Sequence, residues 1–276
     1  MVSKAPNSRR NLDMAIERVF GKDQDPLRVR TLIANTIIGQ LLPSGAVKGG
    51  SSLKLRYGNN ATRFTRDLDA VRTGELDDFI DSLGDALAEG WNGFTGKLVR
   101  KEPAKPKNVP GEYVMQPFEV KLSYNMRAWL TVQLEIGHDE IGDTTSPDYF
   151  ISPDVVTIFE LLGLPAPKPI ALMPIPYQIA QKLHGLSDPQ SVRAHDLIDL
   201  QVICQNEDID YTMVRATCAR LFAYRQSQAW PPVVVKRDVW DALYIAQSGD
   251  LDVLQTVDEA VVWANRLIGV IEDARR

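Results

Sequence analysis

Apolar residues recur along the chain with two periods. In residues 11–20 Leu12, Ala15, Ile16 and Val19 share one face of a helix, and residues 76–87 repeat that pattern. Residues 26–42 read as a second helix, stopped by Pro43, Ser44 and Gly45. AVKGGSSLKLRYG reads as a short strand, a glycine turn and a helix start, and RDLDAV as a strand. In that strand Leu68 and Ala70 take one face and Asp67 and Asp69 the other. FEVKLSYN and WLTVQLEIG alternate with period two and are rich in β-branched residues, which predicts a strand pair.

The pattern changes after Gly137. HDEIGDTTSPDYF is polar, and Pro165, Pro167, Pro169, Pro174 and Pro176 read as a linker. From Tyr177 the periodicity is almost all helical, ending in a seam of Leu254, Val257, Val261, Ala264, Ile268 and Ile271. The expected architecture is therefore α+β: a mixed-sheet core over residues 1–160, then a helical domain over residues 161–276.

Composition narrows the classes. The 276 residues are 44% hydrophobic and 24% charged, which excludes a largely disordered chain and needs no covalent staples. Cys204 and Cys218 are the two cysteines, so neither a disulfide framework nor a Cys-based zinc site is expected, and the thiols suit a reducing cytosol. The start of the chain lacks a secretory h-region and no run of about 18 apolar residues occurs, so no membrane span and a cytoplasmic location are expected. A net charge of −5 argues against a uniformly basic nucleic-acid surface but leaves room for a local basic cleft. The stretch 97–110, with Arg100, Lys101, Lys105 and Lys107, reads as an exposed loop or hairpin tip: plain solvated surface, or a contact for an RNA backbone.

Chemistry concentrates in KGGSSLKLRYGNNATRFTRDLDAV. Asp67 and Asp69 project from one strand face, and like charges that close are unfavourable unless a cation lies between them. A divalent ion with hard oxygen ligands, Mg²⁺ first and Mn²⁺ second, suits the pair. The glycines ahead of Ser51 and Ser52 let backbone N–H groups at a helix start approach phosphate oxygens. The order strand, glycine turn, helix, DxD strand puts both features at one end of a sheet.

These residues resemble a known family. Lys48–Leu53, Arg56-Tyr57-Gly58 and Arg63–Asp69 look like the first motif of the AbiEii/AbiGii-type nucleotidyltransferase toxins, which include the mycobacterial MenT toxins and belong to the DNA polymerase β-like superfamily. FEVKLSYNMRAWLTVQLEIG matches that family's paired strands, with a third acidic residue at Glu135. PIPYQIAQKLHGL and Arg193–Leu200 match its later motifs, a helical lysine and a downstream aspartate pair. The spacing from Ser51 to Asp67 is lengthened by NNAT, and the third acid is Glu, with Asp139 and Glu140 close behind.

The resemblance implies transfer of a nucleoside monophosphate from an NTP to an acceptor, with release of pyrophosphate. It implies the 3′ end of tRNA as acceptor, an encoded antitoxin, and a role as the toxin of a toxin–antitoxin or phage-defence pair. Carried over, Gly50, Ser51, Ser52, Arg66 and Lys182 hold the nucleotide; Asp67, Asp69 and Glu135 bind metal; and Asp67, Asp69, Lys182 and Asp196 are catalytic, the last two from the helical half. A carboxylate near the acceptor, Asp69 among the candidates, takes the hydroxyl proton. Rival readings stay open: a protein hydroxyl or small molecule as acceptor, or a module that binds nucleotide or RNA without chemistry.

Plainer roles stand beside these. Lys182 reads by default as a surface lysine, Asp196 and Asp199 as cap or Arg193 partners, and Arg63 and Arg66 as pairing with the DxD or reaching a phosphate. His184 and His195 read as structural, since they lack metal-ligand spacing to each other. The sequence leaves the nucleotide, the tRNA species and the oligomeric state open.

Overall fold

A computed structural model describes residues 4–103 and 114–274. Lys105 and Lys107 lie outside the described residues. The chain divides into two compact units. The first holds the described residues up to Asn59, then Phe64–Asp139 and Thr144–Met173. The second holds Asn60–Arg63, Glu140–Asp143 and the described residues from Pro174 on.

The first unit is built on one mixed seven-stranded sheet. Its strands are β1 (Gly45–Lys48), β2 (Leu68–Arg72), β3 (Phe94–Arg100), β4 (Gln116–Tyr124), β5 (Arg127–His138), β6 (Asp148–Phe150) and β7 (Ile170–Leu172), in the order β3-β4-β5-β2-β1-β7-β6. β2 runs antiparallel to β1 and parallel to β5. β4 and β5 are the strand pair expected from period-two alternation. Asn125 and Met126 join them with left-handed φ of 45° and 62°, as a two-residue primed turn requires.

Three helices begin this unit: α1 (Arg9–Phe20), α2 (Pro26–Leu41) and α3 (Gly49–Tyr57); α4 (Leu76–Glu89) and α5 (Pro153–Leu161) follow. α1 buries Leu12, Ala15, Ile16 and Phe20. α2 is capped by Asp25, whose carboxylate accepts from Leu27 N–H at 2.9 Å. Leu32, Ile33, Ile37 and Ile38 of α2 pack into the core with Val47, Leu68, Ala70, Leu134 and Ile136 of the sheet. Trp91, in EGWNGF, meets Phe159 edge to face at 5.8 Å and joins that core.

Three expectations are corrected here. Residues 97–100 are strand, so the expected loop or hairpin tip starts later than residue 97, because β3 pairs along its length with β4 in antiparallel register. The polar stretch after Gly137 contributes β6, and the proline-rich run contains β7, which pairs with β1 and β6. β7 thus belongs with the sheet of the first unit, and the described residues from Pro174 on belong to the second.

The second unit is helical: α6 (Ile175–Ser187), α7 (His195–Asn206), α8 (Tyr211–Arg225), α9 (Trp240–Ser248) and α10 (Val257–Asp273). α10 opens with a capping box between Thr256 and Glu259. It buries Val257, Ala260, Ala264, Leu267, Ile268 and Ile271, so the seam omits Leu254, which precedes the helix, and Val261. Among the described residues no helix is long and apolar enough to cross a membrane.

Candidate active site

The first unit brings most of the motif together at one end of β1, β2 and β5. Register places Lys48 beside Asp69 and Asp69 beside Glu135, a row of three ionisable residues across three adjacent strands. In neighbouring strands directly paired residues share a face, and the buried Leu68 and Ala70 occupy the other one. Asp69 is half-buried, while Glu135 and Asp67 are exposed. Asp67 lies just ahead of β2, at the junction of loop and strand.

α3 starts directly after β1, at Gly49. Its N-cap, Lys48, makes no side-chain capping bond, so the first-turn N–H groups lack a side-chain cap. Gly49 has φ of +65°, and a Cβ there would stand 2.4 Å from Asp69 Oδ2. The helix start and the carboxylate thus touch through a position only glycine fills. Gly49→Ala is expected to cost roughly 1–2 kcal/mol from the left-handed backbone alone and to push the Asp69 carboxylate aside; thermal unfolding of the variant checks it.

Gly50, Ser51 and Ser52 are buried. The Ser51 hydroxyl donates to the Asp67 carbonyl oxygen at 2.6 Å and accepts from Asn35 Nδ2 at 3.1 Å. The side chain of Ser51, a residue the family resemblance counts among those holding the nucleotide, thus ties α3 to the segment bearing Asp67. Arg66 is exposed, and its guanidinium lies 5.8 Å from the Phe64 ring, as does that of Arg28. Lys48 reaches over β2: its Nζ lies 3.1 Å from where a Cβ on Gly137 of β5 would be. Lys48, Arg28 and Asn35 were not singled out as site residues from the sequence. A lone asparagine inside the apolar run LIANTII was the available signal for the last.

The donor chemistry fits a hard cation. Among the described residues no three His, Cys, Asp or Glu side chains gather as a ligand set. Mg²⁺ commonly takes only one or two protein carboxylates and fills its remaining positions with water and substrate phosphate oxygens, which suits Asp67 and Asp69 beside an uncapped helix start.

The second unit carries a different arrangement, a chain of alternating charges. Lys182, on α6 and 3% exposed, donates from Nζ to Asp196 Oδ1 at 2.9 Å and to Asp199 Oδ2 at 2.6 Å. Asp196 also accepts from Arg193 Nε at 2.6 Å. Asp199 receives a two-pronged contact from Arg63, Nε at 2.9 Å and Nη2 at 3.0 Å. Arg63 thus pairs with Asp199 of α7, where the sequence suggested the neighbouring DxD or a phosphate. Burial alone would raise both aspartates, but Arg193 and Lys182 around Asp196, and Arg63 and Lys182 around Asp199, hold both carboxyls below the usual carboxylate range.

Burial keeps both histidines of this unit neutral. His184 is buried and lowered to about 3, by desolvation first and then by Arg225 and Arg193. Because Arg225 Nη1 only donates, His184 Nδ1 accepts at 3.3 Å and Nε2–H donates to Ser227 Oγ at 3.0 Å. His195 is lowered to about 4, again by burial first. A histidine kept neutral in the fold binds fewer protons than in the unfolded chain between its folded value and its ordinary 6.5. Stability is therefore expected to be greatest above pH 7 and to fall on acidification from pH 6.5 to 4. The slope is about 1.4 kcal/mol per pH unit for each histidine. Urea denaturation at stepped pH values measures it. Neither cysteine is primed for chemistry, since burial raises both thiols, Cys204 to about 11.

Comparison with known proteins adds the following. The family model described as nucleotidyl transferase AbiEii toxin, type IV TA system, matches residues 30–233. Among solved structures the chain is similar to MenT4, a nucleotidyltransferase toxin from Mycobacterium tuberculosis H37Rv, at 16% identity and a TM-score of 0.52, covering 95% of this chain and 97% of that one. It is also similar to JHP933 from Helicobacter pylori, at 15% identity and a TM-score of 0.43, covering 87% and 88%. No curated protein matches.

Proposed function

Since this chain belongs to the AbiEii family of nucleotidyltransferase toxins, we propose that it moves a nucleoside monophosphate from an NTP onto the 3′ end of tRNA at the sheet end of its first unit. The observation that carries this reading is the packing of the α3 start against Asp69, with a Cβ on Gly49 excluded at 2.4 Å. N–H donors for phosphate oxygens and carboxylates for a divalent ion thereby stand side by side, and a metal-bound triphosphate needs both.

In this reading the acceptor hydroxyl oxygen attacks the α-phosphorus of the NTP. A new O–P bond forms, the bond to the bridging oxygen breaks, and pyrophosphate leaves with the electron pair. Gly50 and Ser51 offer backbone N–H groups to the phosphate oxygens, and Ser52 continues that turn. Arg66 adds a positive charge from the exposed side. Asp67 and Asp69 hold the Mg²⁺ or Mn²⁺, which when bound neutralises charge on the triphosphate. Glu135, beside Asp69 in the row, takes the acceptor's proton. The family description, a type IV toxin–antitoxin system, supports an antitoxin as partner.

The test is incubation of the purified chain with total tRNA and each α-labelled NTP, with Mg²⁺ or with EDTA, read on a denaturing gel. Label on tRNA that disappears with EDTA is the expected result. Label on a protein band moves the acceptor assignment, and EDTA-resistant label removes the metal.

A further inference from the structure

Asn35 stands in the middle of α2 and is 1% exposed. Its Nδ2 donates to Ser51 Oγ at 3.1 Å, and Ser51 Oγ donates in turn to the backbone carbonyl of Asp67 at 2.6 Å. No hydrogen-bond partner is found for its Oδ1 among the described residues. A buried amide that satisfies only one of its two ends costs stability relative to an apolar side chain of the same size. The half that is satisfied points along one route only, through Ser51 to the residue that opens the DxD.

The relay orders its protons as well. Asn35 can only donate through Nδ2, so it occupies a lone pair of the Ser51 oxygen and directs the hydroxyl hydrogen at the Asp67 carbonyl. Without that donor the hydroxyl regains other rotamers, including contact with the backbone of its own helix. The Asp67 carbonyl then loses its fixed partner. Asp67 is exposed and sits before the first ladder pair of β2, so neither packing nor sheet pairing holds it as the strand residues are held.

We propose that Asn35 is a positioning residue for nucleotidyl transfer, acting through the Ser51 hydroxyl to fix the segment that presents the Asp67 carboxylate. The inference rests on the proposed transfer reaction for its kinetic consequence, but not for its structural one. Asn35 touches neither substrate nor metal in this role. Its effect falls on the geometry of the reacting complex, where a displacement of about 1 Å costs on the order of 10²-fold in rate.

Two readouts test it on the full chain, with Asn35→Ala, Asn35→Leu, Ser51→Ala and the Asn35→Ala/Ser51→Ala double variant. Asn35→Leu keeps the branched outline of the side chain without its polar atoms, where Asn35→Ala leaves a void, so the two variants fail to fold for different reasons if either does. Amide hydrogen exchange, followed by mass spectrometry on the peptide spanning 64–70, is expected to accelerate at least about ten-fold in each single variant. In label transfer to tRNA, kcat is expected to fall by roughly 10- to 100-fold with KM for the NTP unchanged, and the double variant to be no slower than Ser51→Ala alone. Unchanged exchange in both Asn35 variants overturns the proposal whatever the activity. Accelerated exchange with wild-type kcat, or additive losses in the double variant, overturns it as well and leaves Asn35 a packing residue. A wild-type protein that transfers nothing, with exchange still responding to Asn35, sinks the transfer reading while upholding the positioning of Asp67.

Discussion

Asp69→Asn is expected to reduce nucleotidyl transfer on the order of 10³-fold or more, because in the proposed reaction Asp69 is one of the two carboxylates that hold the metal offsetting phosphate charge. The substitution keeps the shape of the side chain. The position is half-buried at the strand end, and the substitution removes repulsion from Glu135 in one neighbouring strand together with attraction to Lys48 in the other, which offset one another. Stability should therefore change by less than about 1 kcal/mol. That combination, a dead enzyme with an intact melting curve, separates a chemical role from a structural one. A variant that melts normally and still transfers at the wild-type rate would remove Asp69 from the site.

Lys182→Met is expected to act the other way, through stability first. The ammonium is the shared partner of two carboxylates whose side chains are 0% and 4% exposed. Methionine preserves much of the stem's volume but leaves Asp196 with Arg193 and Asp199 with Arg63, each short of one partner. Breaking a buried pair by removing one side typically costs about 3–5 kcal/mol, since the remaining charge is left under-compensated. The melting temperature should drop by many degrees, and the drop should shrink as pH falls and the aspartates protonate. If instead Lys182 serves chiefly to hold the nucleotide, Lys182→Met melts near the wild type and raises the KM for NTP.

The contrast between these two substitutions marks how far the sequence could be read. Around Asp67 and Asp69 the signal was local: strand alternation, a glycine pair and a helix start lie within 24 consecutive residues, and their geometry follows from backbone periodicity. The fold class followed for the same reason. β4, β5 and the C-terminal helices have long, regular patterns. β6 and β7 have three residues each, too few for any period, and acquire their strand character only by pairing with β1 and with one another. Arg63 and Asp199 are 136 positions apart, and only the fold reveals that one neutralises the other. Ser51 shows the same limit. Its place at the helix start was legible, but the direction of its hydroxyl is set by Asn35 and Asp67, which reach it from either side in sequence.

The same limit applies to Lys182. A lysine amid Ile179, Ala180 and Leu183 reads as amphipathic surface or as a phosphate ligand. Its burial against two aspartates depends on α7 supplying them. Arg193 could be placed from sequence because it is three residues from Asp196, close enough in the chain for the two side chains to meet at the start of α7.

Two parallel incubations of the wild-type chain with tRNA and Mg²⁺ decide the reaction itself, one with NTP labelled at the α-phosphorus and one at the γ-phosphorus. Nucleotidyl transfer at the Asp67–Asp69 end of the sheet predicts α-label covalently on tRNA, γ-label recovered only as pyrophosphate, and neither with Asp69→Asn. γ-Label on the acceptor would make the protein a phosphoryl-transfer enzyme, and α-label transferred equally well by Asp69→Asn would place the chemistry elsewhere in the molecule.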